Sequence, residues 1–88
     1  MNADRSEITV TVKLFAIYQE VVGVPELSYQ FPDRTPVGAV LERLILERSE
    51  LARWRSVTQF GINLEFVGPS TPMHDRDEIV LIPPVSGG

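Results

Sequence analysis

From position 8 to position 14 the chain alternates. Ile8, Val10, Val12 and Leu14 are apolar, and Thr9, Thr11 and Lys13 stand between them. A period of two with β-branched residues on both faces predicts a half-buried strand. Leu27, Tyr29 and Phe31 alternate with Ser28 and Gln30, predicting a second strand that Pro32-Asp33-Arg34 breaks. Residues 15–22, between the two, fit a short helix or a loop, with Gly23 as a stop. The period then changes. Val37, Val40, Leu41, Leu44 and Ile45 fall at i, i+3, i+4, i+7 and i+8, the apolar stripe of an amphipathic helix. Thr35 suits its N-cap, Pro36 suits its first helical position, and the helix is expected to run to about Glu50. Arg43 and Glu47 sit at pairing distance on its polar face. Trp54 reads as a lid over the helix end.

Phe60, Ile62, Leu64 and Phe66 again alternate, as one strand or as two short ones turned at Asn63, a residue that tolerates positive φ. Residues 68–72 read as loop and residues 75–78 as a turn. Residues 79–82, Ile-Val-Leu-Ile, are continuously apolar, which predicts a strand covered on both faces. Four or so strands can cover such a strand only with the helix packed across them. The first and last strands, both strongly apolar, are expected side by side. The fold class is therefore α+β, a β-grasp: a mixed sheet curled around one main helix. A single domain is expected over residues 1–88, with residues 1–6 as a disordered arm and residues 83–88 as an extended tail.

Composition narrows the chemistry. The 88 residues include no cysteine, which removes disulfides, zinc–thiolate sites and a thiol nucleophile. The one histidine, His74, fits a solvated loop residue and is too few for a histidine metal site. Asp75, Asp77 and Glu78 serve the turn better than they would a metal, since no further oxygen ligands cluster nearby. A net charge of −4 with scattered basic residues disfavours nucleic acid. The chain has no membrane-spanning run and no apolar leader, so no membrane association and a cytoplasmic location are expected. Neither a phosphate-binding glycine loop nor a nucleophile elbow is present.

What remains is the end, Pro83-Pro84-Val85-Ser86-Gly87-Gly88. Two prolines stiffen the exit from the last strand. Two glycines then bring an unhindered carboxylate to the terminus, on a thread narrow enough for a slot that admits no Cβ.

Three stretches resemble a known family. Lys13-Leu14-Phe15-Ala16, with Glu20 and Gly23, is similar to the opening strand and short helix of the ubiquitin-like sulfur carriers. Ile62-Asn63 resembles their valine-asparagine turn. Residues 77–88 resemble their final strand and tail almost residue for residue. The likeness is strongest to the small subunits of molybdopterin synthases. The chain departs from the pattern at Ile17 and Gln19, where arginines are frequent, and at Arg76, where glycine is usual. The first departure bears on partner contacts. The second demands a different turn or strain at φ > 0.

The resemblance implies that a ubiquitin-activating-like enzyme adenylates Gly88 with ATP and that a sulfur donor protein then supplies sulfur. Gly88 would so become a thiocarboxylate, a 1-thioglycine. The chain itself would bind no cofactor and would carry no active site. It would join a large subunit, in a heterotetramer of two small and two large subunits, and donate sulfur to a cyclic pterin phosphate. Gly87, Ser86, Val85 and Pro84 would occupy the partner's pocket. Phe15 and Phe66 are candidate contacts on the sheet beside the tail, although for Phe66 core placement is the default reading. Other readings are a carrier for thiazole, for tRNA thiolation or for a tungsten cofactor, and a ubiquitin-like protein modifier ending in an isopeptide bond. A β-grasp interaction domain with an idle tail is the remaining one.

Overall fold

The first strand, β1 (Glu7–Leu14), lies inside the sheet with a neighbour on each side. The structure, a computed structural model, describes residues 7–84; the arm expected at residues 1–6 and the tail residues Val85, Ser86, Gly87 and Gly88 lie outside them. After β1 come α1 (Ile17–Val22), β2 (Glu26–Pro32), α2 (Gly38–Glu47), a 3-10 helical stretch (Ser49–Val57), β3 (Gln59–Ile62), β4 (Glu65–Val67) and β5 (Glu78–Ile82). The sheet order is β2-β1-β5-β3-β4. β1 lies beside β5, as the two apolar strands led one to expect, and that pairing is parallel; β1 runs antiparallel to β2, and β3 antiparallel to both β5 and β4. With α2 packed on one face, this is the expected β-grasp.

The alternation in β1 is realised in full. Ile8, Val10, Val12 and Leu14 join one core with Tyr29, Phe31, Phe60, Ile79, Leu81 and the α2 stripe Val40, Leu41, Leu44 and Ile45. The ambiguous stretch is helical. Gly23 ends α1 in the left-handed region at φ 93, and its N–H donates to the Gln19 carbonyl.

The start of α2 differs from expectation. Thr35 does not cap it: its hydroxyl donates to the Pro32 carbonyl, and Pro36 pairs with Pro72 in an isolated bridge. The helix begins at Gly38, two residues late for a Thr-Pro start. The reason is tertiary. The Val37 and Gly38 N–H groups donate to the carbonyls of Thr71 and Pro69, so a distant loop satisfies the helix terminus. Gly38 also permits that approach, because a Cβ there would stand 3.1 Å from the Pro69 carbonyl oxygen. The far end differs too. α2 stops at Glu47, and the chain continues as the 3-10 stretch, with Leu51 buried and Trp54 packed against the core. A two-pronged Arg55–Glu42 contact, at 2.8 and 3.0 Å, ties that stretch to α2.

Residues 60–66 form two strands, not one. Asn63 (φ 49) and Leu64 (φ 75) make the two-residue turn between them. Arg76 takes positive φ, 70°, so the turn before β5 keeps a conformation that suits glycine and carries strain. The expectation that β5 is covered on both faces fails. Ile79 and Leu81 are fully buried under α2, whereas Val80 and Ile82 on the other face are half-buried and stand outside the core.

Candidate functional site

β5 is the root of the tail. It is the middle strand of five, held by β1 on one side and β3 on the other. Its two fully buried side chains, Ile79 and Leu81, anchor it to the core. Pro83 and Pro84 follow directly, so the chain leaves the domain from its most constrained strand. Pro84 is exposed, and both prolines line an open cavity of about 320 Å³ with Val57, Gln59 and Ile82.

The turn network fixes where β5 begins. The Asn63 side-chain amide donates to Asp77 Oδ1 at 2.9 Å, and Asn63 Oδ1 accepts the Glu78 N–H at 2.9 Å. Asp77 Oδ2 accepts the His74 N–H at 2.8 Å, and Asp75 Oδ1 accepts the Thr9 N–H at 2.8 Å. The two aspartates therefore serve the turn, and Asn63 locks the β3–β4 hairpin to the start of β5. His74 is exposed. Among the described residues no cluster of three His, Cys, Asp or Glu side chains could hold a metal.

Both phenylalanines singled out from the sequence are on the surface. Phe15 is 50% exposed and Phe66 is 76% exposed. Neither packs on the core. For Phe66 the reason is parity. The run 60, 62, 64, 66 has a period of two, but the turn at Asn63 and Leu64 resets it. Across the hairpin Phe66 pairs with Gly61, and Gly61 pairs with Val80 on β5. Phe66, Gly61 and Val80 therefore share the face opposite Phe60 and the core. Phe15 directly follows Leu14, the last residue of β1, which pairs with Leu81 one residue before Ile82.

The structure adds three residues to this face that sequence reasoning did not select. Val80 and Ile82 were assigned to a doubly covered strand. Leu64, 90% exposed at φ 75, stands at the hairpin tip. A branched side chain in the left-handed region costs about 1–2 kcal/mol, and full exposure adds no burial to offset it. Leu64, Phe66, Val80 and Ile82 surround an open depression of about 200 Å³ floored by Gly61. Lys13 marks its polar border. It lies beside Val80 in register and reaches Glu26 at 3.1 Å and Glu78 at 3.6 Å. The Glu26 hydrogen bond and charge, then Glu78, hold its ammonium above the usual lysine range.

Pro84, Phe15 and Phe66 thus fall on the described part of the molecule, while Val85, Ser86, Gly87 and Gly88 lie beyond it. The described residues offer a strand-anchored exit at Pro83-Pro84 and, beside it, an apolar sheet face with a charged margin.

Comparison with known proteins extends over nearly the whole chain. The ThiS family model matches residues 12–88. The molybdopterin synthase sulfur carrier subunit of Arabidopsis thaliana is 35% identical over 85 residues, covering 97% of this chain and 88% of the plant protein. The solution structure of small archaeal modifier protein 1 from Methanosarcina acetivorans superimposes with a TM-score of 0.73 at 31% identity, over 93% of this chain and 98% of that one. A chain from the complex of subunits 1 and 2 of the molybdopterin-converting factor of Helicobacter pylori shares the fold at a TM-score of 0.60 and 24% identity, over 92% of this chain and 100% of that one.

Proposed function

The chain belongs to the ThiS family, and on that premise we propose that it is the sulfur carrier subunit of a molybdopterin synthase, with Gly88 as the group that carries the sulfur. The observation that carries this reading is the placement of β5. A central strand, anchored by Ile79 and Leu81, runs directly into Pro83-Pro84 beside an unpartnered apolar face. That is the form required of a domain that presents its terminus to another protein. The identity to the plant sulfur carrier subunit supports the pathway.

The reaction is the one the family resemblance implies, and the composition agrees with it. Without cysteine it has no thiol on which to hold sulfur. The Gly88 carboxylate attacks the α-phosphate of ATP in an adenylating partner, and pyrophosphate leaves. A sulfur donor protein then supplies sulfide to the acyl-adenylate, and AMP leaves. The resulting thiocarboxylate is anionic at neutral pH and nucleophilic, for the reason that a thiolate exceeds a thiol. In the large subunit its sulfur displaces an oxygen substituent on a carbon of a cyclic pterin phosphate, and water then cleaves the acyl–sulfur bond, so the sulfur stays on the pterin and Gly88 returns as a carboxylate, with the acids, bases and oxyanion donors provided by that subunit. This chain's contribution is position. Gly87, Ser86, Val85 and Pro84 thread the pocket, and Phe15 and Phe66 meet its rim. A heterotetramer of two small and two large subunits would allow each tail its own pocket.

The test is reconstitution with ATP, adenylating enzyme, sulfur donor and large subunit. The expected product is a chain whose intact mass shows one oxygen replaced by sulfur, and that mass returns to its original value on addition of the cyclic pterin. Deleting Gly88, or appending residues after it, is expected to abolish both changes while the melting curve stays in place. Sulfur transfer by an extended, uncleaved chain would sink the proposal. A second reading, protein modification through an isopeptide bond, is favoured by the 31% identity to the archaeal modifier. It predicts Gly88 joined to lysines of other proteins instead of a free thiocarboxylate.

A further inference from the structure

The glycine at position 61 is not required by the fold. It sits in the interior of β3, where glycine weakens a strand and commonly marks a close approach by something else. Its φ is not in the left-handed region, and an added Cβ would meet nothing nearer than 3.4 Å, the Glu65 carbonyl oxygen, with Val80 Cβ at 3.6 Å. These are ordinary contacts. A strand-favouring residue would fit there and would fill the depression on the outer face. Leu64 breaks a local rule from the opposite direction. At φ 75 in a two-residue hairpin turn, its position suits glycine, yet it carries a leucine that is 90% exposed. So the floor lacks a side chain that the backbone would accept, and the rim holds one that the backbone resists. Backbone strain of this kind clusters at functional sites.

From these two departures, and resting on the proposed role as a carrier subunit, we infer that the depression floored by Gly61 and rimmed by Leu64 and Phe66 is a preformed socket for one large apolar side chain of the subunit that receives the tail. Size fits the occupant. The depression measures about 200 Å³, and a cavity of roughly 150 Å³ already accepts a benzene ring. Place fits the partner. Ile82 is a wall of the socket and also the last residue of β5. The six residues from Pro83 to Gly88 span at most ~20 Å, so a pocket that takes Gly88 deeply must bring its rim against Ile82 and its neighbours. A second copy of this chain has no such constraint to bring it there. Apolar side chains seated centrally in desolvated sites dominate association energy, while surrounding contacts exclude water. A socket beside the tail root would thereby fix the angle at which the tail enters.

The experiment uses the full chain and the purified large subunit of the same organism's molybdopterin synthase, titrated by calorimetry, with melting curves of each free variant. Gly61→Val fills the floor. Leu64→Gly removes the rim and installs the favoured Asn-Gly turn. Each variant is expected to melt no lower than the parent and to bind the large subunit at least tenfold more weakly. A loss of affinity without a loss of stability distinguishes a socket from a structural role. Should Gly61→Val fail to fold, Leu64→Gly decides alone. Parental affinity in the folded variants overturns the socket and leaves the carrier role standing. A parent chain that fails to bind the large subunit overturns both. A parent chain that self-associates and is made monomeric by Gly61→Val gives the socket to a second copy and overturns this inference alone.

Discussion

Tyr29 shows how a single residue ties sheet, helix and pH together. Its ring is buried in the core, and its hydroxyl donates to Glu47 Oε1 at 2.7 Å. The Arg43 guanidinium lies over the ring at 4.6 Å and contacts Glu47 at 3.4 Å, so the expected helix-face pair also covers the edge of the core. Burial, and then the hydrogen bond and charge of Glu47, push the Tyr29 phenol above its ordinary value of 10.0. Burial likewise raises Tyr18, whose hydroxyl meets Thr58 Oγ1, while that threonine donates to the Trp54 carbonyl. For both, the folded pKa exceeds the unfolded one, so the folded state holds the proton more tightly. Their stabilisation is complete below the unfolded pKa and is lost as pH rises through the folded pKa. Unfolding free energy measured in urea is therefore expected to fall steeply above about pH 10. Tyr29→Phe should flatten that fall at the expense of about 0.5–1.5 kcal/mol at neutral pH. A parent curve that stays level through about pH 11 would remove both phenols from this account.

At the level of elements, periodicity carried most of what was legible. The stripe in α2 named its buried residues correctly: Leu41 and Leu44 are within 1% of full burial. Leu44→Ala is expected to cost about 2–5 kcal/mol, a large share of the roughly 5–10 kcal/mol available to a domain of this size. Thermal unfolding reads that cost directly, and an unmoved melting curve would mean that the helix faces elsewhere. The helix ends were not legible, because their determinants are distant. Thr35-Pro36 has the local chemistry of a helix start, but the carbonyls of Pro69 and Thr71 take the N–H groups that a cap would have taken. The 3-10 stretch has a mixed sequence with one buried residue, Leu51. Leu51 in the core and the exposed Arg55–Glu42 pair hold it to α2, and the sequence holds no periodic trace of either. Strand pairing obeys the same limit. A two-residue turn at Asn63 was foreseen as an option, yet only the register Gly61–Phe66 shows that the turn moves Phe66 off the core side.

On the scale of the whole molecule, the instructive error is β5. Its continuous apolar run reads as a strand buried twice, and the isolated domain buries it once. The two descriptions agree if the second layer is another protein. The α2 face is sealed by the domain's own core, whereas Val80, Ile82, Phe66 and Leu64 border an open depression outside that core among the described residues. Folding and docking should then be separable, since the residues of the two faces do not overlap. Phe15 tests this most cleanly: it is 50% exposed, stands outside the core, and directly follows Leu14, which pairs with Leu81 on β5. Phe15→Asp places a charge on the proposed docking face. In the free chain that charge stays in water, so stability should move by no more than about 0.5 kcal/mol. Against the large subunit the same carboxylate must be desolvated without a partner, and affinity should fall by about 2 kcal/mol or more, over tenfold. Calorimetric titration beside the unfolding curve separates the cases. Unchanged affinity would place Phe15 outside the interface. An unfolded variant would place it in the core and shift the docking face away from β1, leaving β5 and the β3–β4 hairpin to carry it.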